Sequence, residues 1–450
     1  MTKMNQLRQQ AMKAYELATG RKVLTCLAEL RRTQWLSREE ILALQQKKLH
    51  QLVAYAYQYV PYYQRMFNEI GFKPDDLLTD LTAYHQLPTI SKAIINENFD
   101  DLVTTDPTRQ SWSKNSTGGS TGTPLNFAQD DNFRNYVTAD IHRHIEWTGW
   151  KFGECHAYIW GADYEVATQQ QLRTRLMDWA LNRFVTNAFT LSEASMDAFA
   201  QKIRQKRPKV LFGYASALTR FAEFVQDNHI NDIKFMGVIS TAEVLYPEQR
   251  ALIEQTFNCR TLNRYGTREL GGVACESPTN PGLMLISAED VYVEILDDDK
   301  PVPVGQEGDI VVTVLTNWAM PFLRYHIGDV GALSAEQSAC GRGLPGMKMV
   351  QGRATDMFKT KHGTSVHGEY FTHLFYGISE IEQFQVIQKD YELIVVNMVE
   401  KEPLPAEKRA FIEKAIKDVM ESEVTIDFRS MEAIPLKNSG KYRFTISELA

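Results

Sequence analysis

The run Ser113-Lys-Asn-Ser-Thr-Gly-Gly-Ser-Thr-Gly-Thr-Pro124 interleaves glycines with hydroxyls. Backbone lacking a Cβ can approach an anion closely, and Ser and Thr add donors beside the amides, so the stretch suits a phosphate-holding loop. The same composition also fits a solvated linker. A nucleotide loop of the Walker type closes on Gly-Lys-Ser/Thr. Here Gly122 is followed by Thr123 and Pro124, which removes the lysine that such a phosphotransferase needs.

Four further blocks concentrate polar residues in the middle and at the end of the chain. They are Ser240-Thr-Ala-Glu243, Tyr265-Gly-Thr-Arg-Glu269, Arg324-Tyr-His-Ile-Gly-Asp329 leading to Gly352-Arg353, and Lys437-Asn-Ser-Gly-Lys441. With the glycine loop in front, these blocks in this order resemble the adenylate-forming superfamily. Within it the chain is similar to the phenylacetate-CoA ligase family, and more closely to its capsular-polysaccharide-associated, CapK-like branch. Val60-Pro-Tyr-Tyr63 and Gln383-Phe-Gln-Val-Ile-Gln388 extend the likeness over nearly the whole length.

The resemblance implies a role for each matching residue. Ser116, Thr117, Gly118, Gly119, Ser120, Thr121 and Gly122 would cradle the phosphates of ATP. Tyr265 would lie against adenine, with Gly266 and Thr267 beside it, and Thr241, Ala242 and Glu243 would line the edge of the base. Glu269 would hold Mg²⁺, which favours one or two carboxylates together with phosphate oxygens. Asp329 offers two acceptors to the paired ribose hydroxyls and Arg353 donors to the same sugar. Lys441 would neutralise the charge that develops as a carboxylate attacks the α-phosphate, with Lys437 a weaker candidate.

Two places depart from the family pattern. Thr355 stands in Gly352-Arg353-Ala354-Thr355-Asp356 where an aspartate often marks the hinge between domains. Some relatives carry a zinc site of cysteines and a histidine. Here Cys275 and Cys340 remain, with Ser338 where a Cys-x-Cys pair would begin, and four ligands cannot be assembled. No structural zinc is expected.

Elements must bring these blocks together. Ser37 followed by Glu40 reads as a capping box ahead of an apolar helical stripe that ends at Pro61, and a second helix stops at Gly71, so residues 1–100 form a helical N-terminal region. Val210–Phe212, Phe235–Ser240 and Thr261–Tyr265 read as strands alternating with helices Ser216–Asn228 and Pro247–Phe257. That order implies parallel strands, whose ligands bind beyond the carboxyl ends. Val291–Leu296 and Asp309–Leu315 suggest an antiparallel subdomain. Strands Phe384–Ile387, Leu393–Met398 and Val424–Phe428 with helix Ala406–Met420 make a small last unit. The expected architecture is α/β. A large N-terminal AMP-binding domain over residues 1–352 has doubly wound, mostly parallel sheets plus the antiparallel subdomain. A small, mobile α+β domain spans residues 353–450.

Composition narrows the function. The 450 residues are 44% hydrophobic and 23% charged, as in a folded enzyme, and the net charge of −7 gives no field for nucleic acid. No apolar run is long enough to span a membrane, the N-terminus lacks a signal core, and five scattered cysteines form no disulfide framework, so a cytoplasmic protein is expected. Oligomeric state is not legible. The implied activity is AMP-forming activation of a small-molecule carboxylic acid with ATP and Mg²⁺, followed by transfer to coenzyme A. An amine, a carrier-protein thiol or a sugar hydroxyl could equally accept the acyl group. A nucleotide-binding scaffold without turnover is the alternative of a different class. Trp160, Tyr164, Phe212 and Tyr214 are candidate walls of the acid pocket.

Overall fold

In the computed structural model the described residues are 3–78, 80–116, 125–160, 177–188, 191, 193–351, 357–361, 365–367, 371, 374–375, 378, 380–420, 423–432, 434 and 445–449. The capping box forms as the spacing predicts, with the Glu40 amide donating to Ser37 Oγ at 3.2 Å and the Ser37 amide to Glu40 Oε2 at 2.8 Å. Helix Arg38–Tyr59 follows, and Pro61 opens helix Pro61–Ile70, which closes at Gly71 with φ +72°. Only glycine adopts that left-handed closure without strain. The stripe Leu49, Leu52, Val53 and Ala56 is buried with Tyr63 and Phe67.

The parallel part consists of β3 (His156–Ile159), β4 (Arg183–Thr186), β5 (Val210–Tyr214), β6 (Gly237–Thr241) and β7 (Arg260–Thr267), ordered β4-β3-β5-β6-β7. Helices Glu193–Lys206, Ala215–Asp227 and Pro247–Phe257 connect its successive strands from β4 onwards. Leu211 packs with these helices, whereas its neighbours Val210 and Phe212 pack with Trp147, Trp150 and helix Val23–Thr33 on the other face. A strand buried on both faces needs apolar residues at every position, which is why Val210–Phe212 stands out in the sequence.

β7 is where the sheet changes character. It pairs parallel with β6 and antiparallel with β8 (Gly271–Glu276). Beyond it come β9 (Met284–Ile286), β10 (Val291–Asp297), β11 (Lys300–Pro301), β12 (Gly308–Val314), β13 (Tyr325–Ser334) and β14 (Gly346–Gln351), in the order β8-β9-β14-β13-β12-β10-β11. The antiparallel strands expected as a subdomain therefore continue the same twelve-stranded sheet. A separate antiparallel hairpin, β1 (Trp112–Ser116) and β2 (Asn126–Asp130), brackets the glycine loop.

In the C-terminal segment, β15 (Met357–Lys359) and β16 (Ser365–His367) pair with each other. β17 (Ile381–Gln388), β18 (Leu393–Glu400), β19 (Thr425–Ser430) and β20 (Thr445–Ser447) form a four-stranded sheet ordered β19-β18-β17-β20. Helix Ala406–Met420 contributes Ile412, Ile416 and Met420 to a core with Val386, Ile394 and Val396. Three of these strands and the helix match the sequence expectation, and β20 adds an edge. Residues 352–356, where the expected domain boundary falls, lie outside the described residues.

Candidate active site

The carboxyl ends of the parallel strands converge on the polar blocks. Trp160 follows β3 and Tyr214 ends β5, with their ring centroids 4.4 Å apart and tilted by 43°, while Phe212 lies 5.7 Å from Trp160. Tyr164 lies outside the described residues.

Thr241 ends β6, is buried, and donates its hydroxyl to the Arg264 carbonyl at 2.9 Å. Ala242 then takes φ +69°, a left-handed value that a residue with a Cβ adopts at a cost. The carboxylate of Glu243 accepts from the Ser216 amide at 2.7 Å and the Ser216 hydroxyl at 3.0 Å. That side chain faces the start of helix Ala215–Asp227, a partner the sequence does not reveal.

Tyr265 donates its hydroxyl to Asp329 Oδ2 at 2.7 Å, which joins two blocks 64 positions apart. Asp329 lies on β13 beside an irregularity. Asp309 pairs with Val330 but Val311 with His326, and Gly328 sits at φ +88° inside the bulge. Such a bulge re-aims one side chain without breaking the strand.

Glu269 lies in the turn between β7 and β8. It is 4% exposed, and no described residue forms a hydrogen bond or ion pair with its carboxylate. Thr267 Oγ1 closes this turn by accepting from the Leu270 amide at 3.2 Å. Gly266 is obligatory there, since a Cβ would lie 2.3 Å from the Gly271 carbonyl oxygen. The turn also reaches the glycine loop's hairpin. Arg268 Nη1 donates to the Ser116 carbonyl at 3.3 Å, and Gln129 Nε2 to the Arg268 carbonyl at 2.9 Å.

Thus Ser116, Thr241, Ala242, Glu243, Tyr265, Gly266, Thr267 and Glu269 belong to the C-terminal parts of strands and the turns after them, and Asp329 to the bulge inside β13 that meets Tyr265. Thr117, Gly118, Gly119, Ser120, Thr121, Gly122, Arg353 and Lys441 lie outside the described residues.

Beneath β7 and β8 is a set of charges that sequence reasoning missed. Arg143 bonds Asp140 Oδ1 at 2.6 Å and Glu289 Oε2 at 2.9 Å, all three fully buried. Arg264, the residue before Tyr265, donates to His144 Nδ1 at 3.3 Å and lies 3.7 Å from Asp140 Oδ2. Burial opposes a charge on Arg143, but Glu289 and Asp140 outweigh it and hold the guanidinium ionised. Burial and then the Arg143 charge push His144 well down, so it is neutral. Burial and the Asp140 charge push Asp290 well up. The available signal was Asp140, Arg143 and His144 at helical spacing in a segment that is otherwise apolar on the same side.

Cys275 is fully buried on β8, and burial raises its thiol pKa. Ser338 donates to Cys340 Sγ at 2.9 Å and shares a 2.6 Å hydrogen bond with Ser277. Among the described residues no group of three or more His, Cys, Asp or Glu is placed to hold a metal ion.

Residues 358–448 match the family described as the CapK C-terminal domain. Phenylacetate-coenzyme A ligase of Thermus thermophilus is 26% identical over 361 residues, covering 78% of this chain and 79% of the relative. Protein CapK of Staphylococcus aureus is 25% identical over 381 residues, covering 81% and 80%. A crystal structure of 2-hydroxyisobutyryl-CoA ligase in its postadenylation state, in complex with 2-HIB-AMP, aligns with a TM-score of 0.68 at 18% identity, covering 93% of this chain and 92% of that one. The fold is that of the adenylate-forming ligases. By sequence the chain is similar to the phenylacetate-coenzyme A ligases and to CapK.

Proposed function

We propose that the protein is an AMP-forming carboxylic acid ligase that uses ATP, Mg²⁺ and coenzyme A. The observation that carries this reading is the junction at which Tyr265 meets Asp329 while Arg268 ties the Glu269 turn to Ser116. It brings the Tyr265 ring to the Asp329 carboxylate, and the turn with the buried Glu269 to the base of the glycine loop. The likeness to the Thermus thermophilus phenylacetate-coenzyme A ligase along 78% of the chain supports the same reading.

In the first half-reaction a carboxylate oxygen attacks the α-phosphorus, the bond to the bridging oxygen breaks, and pyrophosphate leaves. Residues 116–122 hold the phosphates, Tyr265 and the 241–243 backbone hold adenine, and Asp329 with Arg353 holds ribose. Glu269 suits a magnesium ion, which would offset phosphate charge, because its carboxylate is buried and unengaged by described residues. Lys441 supplies positive charge as the attack proceeds. In the second half, a thiol attacks the acyl carbon and AMP leaves. Residues 1–352 act as the nucleotide domain and 353–450 as a mobile domain that exchanges the two configurations. The reaction is placed in the cytoplasm.

The CapK likeness favours a second reading of the acceptor alone, in which an amine, a carrier-protein thiol or a sugar hydroxyl replaces coenzyme A. Incubating the protein with MgATP and a panel of carboxylic acids should release pyrophosphate and, once an acceptor is added, AMP. ADP formation, or no pyrophosphate with any acid, would refute adenylation. No coenzyme A thioester while another acceptor releases AMP would select the second reading.

A further inference from the structure

Resting on the adenylation reading, we propose that Glu243 is a positioning residue: its carboxylate clamps the turn 241–243 to helix Ala215–Asp227, so that the turn's backbone, and not the Glu243 side chain, meets the adenine edge. Three observations carry this. Helix Ala215–Asp227 begins at Tyr214, whose side chain makes no capping hydrogen bond, and both Glu243 carboxylate oxygens serve that terminus through Ser216. A carboxylate at a helix start is favoured by the free amides and the helix dipole. On the other side, buried Thr241 is fixed to the Arg264 carbonyl, one residue before Tyr265. Ala242 lies between these two tethers at φ +69° and is exposed.

A left-handed alanine persists only where its surroundings over-determine it. The tethers do so, and because Thr241 pairs with Tyr214 on one side and Arg264 on the other, they hold Ala242 just beyond the paired ends of β5, β6 and β7. Loss of the Glu243 tether frees Ala242 to relax towards an ordinary right-handed conformation, which withdraws the turn from the base. Glycine at 242 removes the conformational cost and substitutes for the tether.

The test compares Glu243→Ala, Glu243→Gln, and Glu243→Ala combined with Ala242→Gly, using pyrophosphate release with varied ATP and varied acid. Glu243→Ala should raise the KM for ATP about fivefold, the scale of one left-handed residue, and change kcat less. Glu243→Gln keeps an acceptor for the Ser216 amide and should recover most of the loss. The Ala242→Gly addition should restore at least half of it. An unchanged KM for ATP, an equal loss in every parameter, or no rescue by glycine overturns the proposal.

Amide hydrogen exchange in peptides covering 214–220, measured without substrate, reads the clamp itself. Exchange should quicken in Glu243→Ala, and unchanged exchange overturns the clamp. If the unaltered protein releases no pyrophosphate, the adenylation reading fails while the exchange arm still decides whether the clamp exists.

Discussion

The Tyr265 hydroxyl is a donor to a carboxylate that is only 8% exposed. Hydrogen bonds to charged groups contribute about 1.5 to 3 kcal/mol, so Tyr265→Phe should lower the unfolding free energy by about 1.5 kcal/mol. Because Asp329 would be less firmly oriented towards ribose, the KM for ATP should rise more than that for the acid. Urea unfolding and steady-state kinetics check the two effects, and a variant unchanged in both would leave the bond without consequence. Residue types at this scale were legible from the blocks, while the pairings were not. Nothing in the sequence couples Tyr265 to Asp329 or turns Glu243 towards Ser216: Ser216 and Glu243 follow β5 and β6, which pair only in the folded sheet, and Tyr265 on β7 meets Asp329 on β13 although β8, β9 and β14 stand between those strands in the sheet order.

Among elements, the β7–β8 ribbon carries the tightest geometric demand. A Cβ on Gly272 would lie 2.0 Å from Asp140 Oδ2 and 2.6 Å from Arg264 Nη2. Asp140 cannot swing aside easily, because Arg143 and Ser287 Oγ hold its other oxygen at 2.6 and 3.1 Å. Disturbing a buried, hydrogen-bonded charge set costs roughly 3 kcal/mol, and Gly272→Ala should lose about that much in urea unfolding. A loss under about 0.5 kcal/mol would show that the carboxylate has room to move. The β5–β7 region was legible because strands buried on both faces, and a helix opened by Pro247, leave strong local patterns. Helix Asp131–Glu146 was not, since Asp140, Arg143 and His144 break the apolar stripe that it buries. β9 is three residues long and β8 begins with two glycines, so neither carries a strand signal of its own.

For the whole molecule, the proposed two-domain cycle separates on mutation at Lys441. If its charge serves adenylate formation alone, Lys441→Ala should slow pyrophosphate release roughly a hundred- to thousandfold, the scale for removing one preorganised charge partner. Thioester formation from supplied acyl-adenylate and coenzyme A should stay close to the unaltered rate. Equal loss in both halves would give Lys441 a structural role, and no loss in either would move the assignment to Lys437. The division into a large α/β part and a smaller C-terminal sheet was legible from the change in element pattern. The continuity of one sheet across β7 was not, because pairing direction is decided by distant partners.

That continuity also governs how the protein can be made. β14, at residues 346–351, is the strand between β13 and β9, and it alone joins the parallel half to the outer antiparallel strands. A ribosome that has finished β13 has produced the other eleven strands of the main sheet, yet two open edges still await one strand. Met284, Leu285 and Ile286, all buried in the finished fold, form one of those edges. A nascent chain stalled before Gly346 therefore presents unpaired, apolar backbone, the species that chaperones must shield and that proteases remove first. Synthesis of this protein is vulnerable late.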